Sequence, residues 1–308
     1  MMKTRILATA TVLALGMMAT GTAYADTFGS GANTFTLDFV TVGNPGNAAQ
    51  SESNRSHSES GGDGYGAVPH VYRMSTYAIS QNNITTATAA GLTNVTAGAH
   101  TGDKPAANIS WYEAAAFVNW LNKSQGHQEA YDLAWGGSSW SMDLWSSEVA
   151  WQSGGENLYR HKDAYYFLPS ENEWFKAAYY DPNVATYYLY ATGSDTAPTA
   201  VAEGTDAGTA VYNQPVEDGP ADVNLSGGLS PYGTMGQGGN VWEWSESAWD
   251  GVNDVASEDR AIRGGFWNNP GSSFIGFRVA SIPEPSTTLL VLMAGGALLL
   301  KKRLSRSL

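Results

Sequence analysis

The chain has 308 residues, of which 43% are hydrophobic, 12% aromatic and only 15% charged, enough for one large or two small globular cores. It contains no cysteine, which excludes disulfides, thiolate metal sites and thiol catalysis and fits an exported protein without cross-links. The formal net charge is −13, and six of the 16 basic residues (Lys3, Arg5, Lys301, Lys302, Arg303 and Arg306) sit in the two ends, leaving ten elsewhere against 29 acidic residues; a surface this acidic disfavours nucleic acid and anionic lipid and is compatible with divalent cations.

Residues 1–25 read as a secretory signal. Lys3 and Arg5 precede an apolar run from Ile6 to Met18, and Ala23-Tyr24-Ala25 supplies the small-x-small cleavage site before Asp26; a stray apolar helix is the alternative. Phe35, Leu37 and Phe39 then alternate as in a strand, and Val68–Ile79 has strand character again. The serine- and glycine-rich stretch 51–66 reads as an exposed loop, and the Thr/Ala/Asn-rich stretch 80–102 has no clear pattern.

Ser110-Trp111-Tyr112-Glu113 is a capping box, and the apolar residues Trp111, Ala114, Ala115, Val118 and Leu121 recur at helical spacing, which predicts an amphipathic helix over 111–122. The stretch 127–162 carries four tryptophans among glycine and serine and reads as packed loop. Ser170-Glu171-Asn172-Glu173 repeats the capping box and opens a second helix that ends before Asp181-Pro182. The stretch 183–228 is rich in glycine and aspartate, and little regular structure is expected of it.

Gly238-Gly239-Asn240-Val241-Trp242-Glu243-Trp244 is the most information-dense stretch. In extended backbone Trp242 and Trp244 share one face and Glu243 takes the other, so the tryptophans are expected in the core and the carboxylate outside it or among donors. The glycines permit a close backbone approach. Strands at 260–267 and 275–280 close the body. Arg263 and Arg278, flanked by glycine and aromatic residues, suit ion pairs or stacking on Trp more than ligand binding. Five histidines (His57, His70, His100, His127 and His161) form no i, i+4 ligand pair, and no Gly-x-Ser-x-Gly is present.

Ile109-Ser110-Trp111-Tyr112-Glu113, Leu168-Pro169-Ser170-Glu171-Asn172-Glu173-Trp174, Gly239-Asn240-Val241-Trp242-Glu243-Trp244, Arg263-Gly264-Gly265-Phe266-Trp267 and Gly276-Phe277-Arg278 occur in that order. Over residues 35–281 this series resembles the formylglycine-generating enzyme (sulfatase-modifying factor) family. The resemblance implies an α+β fold related to the C-type lectins, with low regular secondary structure, a few helices and short, twisted antiparallel sheets. The oxidase members bind copper through paired cysteines before the Gly-Phe-Arg motif; here that region has no sulfur, so neither copper nor cysteine oxidase activity is expected. The resemblance also implies structural Ca²⁺ held by the carbonyls of Gly239 and Val241 and the side chain of Glu243, the alternative being that Glu243 accepts backbone amides in a buried turn.

Residues 282–308 complete the chain. Pro283-Glu284-Pro285 precedes a short apolar run, Thr287 to Leu300, and then Lys301-Lys302-Arg303. This tail resembles the PEP-CTERM sorting signal of exopolysaccharide-producing Gram-negative bacteria. It implies an exosortase as partner during export, a transient C-terminal membrane anchor, and a destination at the cell surface, outer membrane or extracellular matrix, with membrane contact only through the terminal segments; a plain C-terminal anchor is the alternative. The combined expectation is an exported binding or structural protein without catalytic residues, with exopolysaccharide as its candidate ligand. A metal-dependent enzyme on the same scaffold is the rival reading.

Overall fold

The computed structural model describes residues 24–51, 64–96, 98–268 and 274–283. The strands are β1 (Tyr24–Ser30), β2 (Asn33–Val42), β3 (Tyr72–Ser75), β4 (Asp132–Trp135), β5 (Trp140–Asp143), β6 (Ala150–Trp151), β7 (Asn157–His161) and β8 (Tyr166–Phe167). Four two-residue strands follow, β9 (Tyr180–Asp181), β10 (Thr186–Tyr187), β11 (Thr199–Ala200) and β12 (Thr209–Ala210), and then β13 (Trp242–Ala248), β14 (Arg260–Gly264), β15 (Ile275–Phe277) and β16 (Ala280–Ser281). Among the described residues there are three α-helices, α1 (Gln81–Ala89), α2 (Trp111–Ser124) and α3 (Glu171–Tyr179). Few helices among short, mostly antiparallel sheets make this the α+β arrangement anticipated from the sequence; the pairing of β13 with β15 and of β11 with β12 is parallel.

The main sheet has the order β1-β2-β3-β16-β8, so a strand from the end of the body inserts between β3 and β8. The sheet is buried on both faces, with Phe28 and Phe39 on one and Tyr72, Met74 and Phe167 on the other, and all five belong to one apolar cluster with Phe117, Val118 and Leu121 of α2. Each such side chain contributes about 1.5–3 kcal/mol of hydrophobic burial. Arg73 of β3 is buried in the same sheet; its guanidinium makes a two-pronged contact with Asp26 of β1 (2.7 and 3.1 Å) and lies over the Phe39 ring at 4.7 Å. Tyr24 and Ala25, on the expected cleavage site, pair in β1 with Phe39 and Asp38, while Ala23 lies outside the described residues, as do Glu284, Pro285 and the apolar tail. Among the described residues no helix is long and apolar enough to cross a membrane.

Both anticipated capping boxes form, at Ser110/Glu113 and Ser170/Glu173, and α2 runs two residues past the predicted end. Helix α1 was not anticipated. Its capping box pairs Ser80 with Asn83 rather than with a glutamate, and Ile84 is its one large apolar buried residue, so neither signal stood out. The tryptophan-rich stretch 127–162 is not the loop expected: it holds two antiparallel pairs, β4–β5 and β6–β7. Buried Asn119 of α2 anchors its start, accepting from the amides of Ala130 and Tyr131 and donating to the Tyr131 carbonyl.

Helix α3 is buried nearly all round, and this includes Lys176, whose Nζ donates to the Asn44 carbonyl at 2.9 Å. Burial pushes its ammonium down to about 8, against the pull of Glu173. The unfolded chain holds that proton up to about pH 10, so between roughly pH 8 and 10 the unfolded state binds more protons and stability rises with pH. Lys176→Met is therefore expected to flatten this rise and to stabilise the protein at pH 7 by about 1–3 kcal/mol. Urea unfolding of both proteins at pH 7 and 9.5 reads both effects.

Candidate functional site

The glycine–tryptophan stretch sits where β13 begins. Alternation holds, and of the two places expected for the carboxylate it takes the one among donors: Glu243 is 1% exposed, whereas Trp242 and Trp244, expected in the core, are only partly buried. The reason is a dedicated set of donors. Arg278 donates from Nε to Oε2 at 2.6 Å and from Nη2 to Oε1 at 2.7 Å, and the Trp174 indole N–H reaches Oε2 at 2.6 Å. A carboxylate so matched can be buried at little cost, and the half-polar indoles can stay near the surface. Arg278 also donates to the carbonyls of Ser75 and Met235, which ties β13 to the main sheet.

Both Glu243 oxygens thus face a cation already. The adjacent guanidinium repels a divalent ion, so this donor set does not fit Ca²⁺. Val241 packs its side chain with Val211 and Trp267, and a Cβ on Gly239 would lie 2.4 Å from the Val211 carbonyl oxygen, which explains the glycine there. Arg263 pairs with Glu171 at 2.6 Å and lies over the Tyr65 ring at 4.3 Å, so both arginines serve as ion-pair partners.

A second buried network lies beneath β7. Arg160 donates to Glu246 (Nη2–Oε2, 2.6 Å) and Glu173 (Nη2–Oε2, 3.1 Å) and lies 3.8 Å from the centre of the Phe167 ring. Burial opposes its charge, but the two carboxylates outweigh that and hold it above its ordinary value. Burial also opposes the charge of Glu173, yet Arg160 and His70 hold its carboxyl well below the usual range. Glu246 is pushed up by burial against the pull of Arg160, and it accepts further from the Tyr131 hydroxyl and Asn157. Among the described residues no three of His, Asp and Glu converge in a way that could hold a metal ion.

A groove of about 510 Å³ opens beside α2. One wall is the start of α2, with Ser110, Tyr112 and Glu113; the other is the β4–β5 hairpin, where Trp135 and Trp140 stand directly opposite each other with ring centres 5.2 Å apart. The hairpin turn closes through the Gly136 amide to the Ser139 carbonyl at 2.9 Å. It lifts Trp135 to 39% exposure, while the Trp140 indole is pinned to the Asn94 carbonyl at 3.0 Å. Glu113 locks the groove floor: Oε1 accepts the Thr96 amide at 2.7 Å, and Oε2 accepts the amide and hydroxyl of Ser110 at 2.9 and 2.7 Å. Burial pushes its carboxyl up, but these donors outweigh that and hold it below the usual value.

Among the described residues Glu113 is the one charged side chain lining the groove, and its charge is compensated. The groove offers aromatic ring faces beside the hydroxyls of Ser138 and Ser139. None of Trp135, Trp140 or Tyr112 was singled out as a site from sequence. The available signal was two tryptophans flanking Gly136-Gly137-Ser138-Ser139, a turn segment of hairpin length.

The family described as Sulfatase-modifying factor enzyme 1-like domain matches residues 34–287. Among solved structures, Treponema denticola variable protein 1 is similar over 85% of this chain and 100% of its own, at 18% identity and a TM-score of 0.54. CarF is similar over 80% of this chain and 99% of its own, at 16% identity and a TM-score of 0.50. Both likenesses speak to the fold. No curated protein matches. With its five ordered motifs placed around one structural node, the chain belongs to the sulfatase-modifying factor enzyme 1-like domain family.

Proposed function

We propose that this protein is an exported, surface- or matrix-associated binding member of its family, and that the groove between α2 and the β4–β5 hairpin takes an uncharged saccharide. The exposed Trp135 face beside serine hydroxyls supports this reading: the C–H faces of a sugar ring stack on an indole while its hydroxyls bond to the rim. The absence of any cationic side chain from the groove among the described residues, together with the acidic body, disfavours polyanionic glycans. The terminal segments carry the export part of the reading: a secretory signal at 1–25 and a PEP-CTERM tail handled by an exosortase place the domain where the producer's exopolysaccharide is its nearest ligand.

Trp135→Ala is expected to weaken binding to neutral polysaccharide about tenfold or more, a loss of roughly 1.4 kcal/mol, without lowering the melting temperature. Affinity electrophoresis through gels containing neutral or uronic-acid polysaccharides reads this directly. Equal mobility of both proteins in every gel would refute the assignment.

A further inference from the structure

A separate cleft of about 160 Å³ opens over the buried Arg160 network, with Ser153 and His70 at its rim and Glu173 at its base. Ser153 Oγ lies 3.1 Å from His70 Nδ1, and His70 Nε2 lies 2.8 Å from Glu173 Oε1. Exposure falls along the line: Ser153 is exposed, the His70 side chain is 18% exposed and that of Glu173 is 2% exposed. We propose that these three residues form a nucleophile, base and orienting carboxylate that hydrolyse short-chain carboxylic esters of polar alcohols. The inference is independent of the saccharide groove.

The protonation pattern follows from Glu173. Being held ionised by Arg160, its carboxylate only accepts, so it fixes the His70 proton on Nε2 and leaves Nδ1 as the acceptor facing Ser153. The ring is held by edge contacts with Trp151 at 5.1 Å and Tyr72 at 5.9 Å. A nucleophile bonded to a base that is itself oriented by a third group is the arrangement that activates a serine. Gly154 lines the cleft next to Ser153, and among the described residues its amide donates to no acceptor, which leaves it for the oxyanion. The small volume suits an acetyl-sized acyl group, and the side-chain amide of Asn172 on the wall, whose Oδ1 accepts from Gly66 while its N–H groups face no acceptor among the described residues, suits a hydroxylated alcohol.

In the reaction Ser153 Oγ adds to the ester carbonyl carbon as its proton passes to His70 Nδ1. The adduct collapses, the bond to the alcohol oxygen breaks, and the alcohol leaves with the proton from Nδ1. Water then adds to the acyl–Ser153 ester by the same route, releasing the carboxylic acid and restoring Ser153 and neutral His70.

The test uses the purified full chain with p-nitrophenyl acetate and a fluorophosphonate probe. The wild type is expected to turn over the ester about 100-fold or more faster than Ser153→Ala and His70→Asn, and the probe to label Ser153 as located by peptide mass spectrometry. Ser153 is exposed, so an unchanged thermal melt of Ser153→Ala separates loss of chemistry from loss of fold. A Ser153→Ala protein with the wild-type rate, a wild type with no turnover, or labelling at another residue would each overturn the proposal.

Discussion

Arg160→Met is expected to lower stability by about 3–5 kcal/mol at pH 7, because it leaves Glu173 and Glu246 buried together with no guanidinium between them. For a domain of this size that is a fall of roughly 10 °C or more in melting temperature, readable by calorimetry. Methionine keeps much of the stem volume over Phe167 and Trp151, so the loss reports charge rather than a cavity. The pH dependence has a definite sign. Without Arg160 both carboxyl groups have folded-state pKa values above their unfolded ones, so the variant gains stability on acidification and loses it as the pH rises towards neutrality. The deficit should therefore be smaller at pH 5 than at pH 7, and adding Glu246→Gln should recover part of it. A constant deficit at both pH values would show that the two carboxylates are not what the arginine holds in place.

The second large effect belongs to Arg278. Arg278→Met should also cost about 3–5 kcal/mol, since Glu243 keeps only the Trp174 indole and the carbonyls of Ser75 and Met235 lose their donor. Arg278→Lys should rescue little, because an ammonium cannot reproduce two parallel bonds and reach both carbonyls. The double variant Arg278→Met/Glu243→Gln should be clearly less damaged than the sum of its parts, by 1 kcal/mol or more, as contacting partners in one network are coupled. Urea unfolding midpoints of the four proteins complete the cycle; additivity would mean the two side chains do not share an ion pair.

Features encoded within one turn of chain were legible in the sequence. The boxes at Ser110/Glu113 and Ser170/Glu173 are i, i+3 patterns, and the alternation through β2 and β13 is local too. Alternation gives parity, however, and not sidedness. Which face of β13 is buried depends on Arg278 and Trp174, which lie 35 and 69 residues away along the chain. The aromatic groove needed the register that sets Trp135 opposite Trp140 and the approach of the loop at Asn94 to α2. The Ser153–His70–Glu173 line joins a loop, the approach to β3 and the first turn of α3, and no motif search spans such distances.

The contact at Gly239 has a consequence for engineering. The irregular arc before the glycine–tryptophan stretch is fastened to the body by main-chain hydrogen bonds as well as by buried Val211 and Ala221. The Val211 carbonyl accepts from the Asn240 amide at 2.8 Å, the Gln214 amide donates to the Trp267 carbonyl at 2.7 Å, and the Asn240 side chain grips the Ala221 amide at 2.8 Å. Residues 205–207, ahead of the first anchor, and 215–218, between the second and third, are exposed. Backbone fastening is indifferent to most side chains, so these two short arcs are natural positions for randomised or grafted peptides, displayed on a framework whose own stability is set elsewhere.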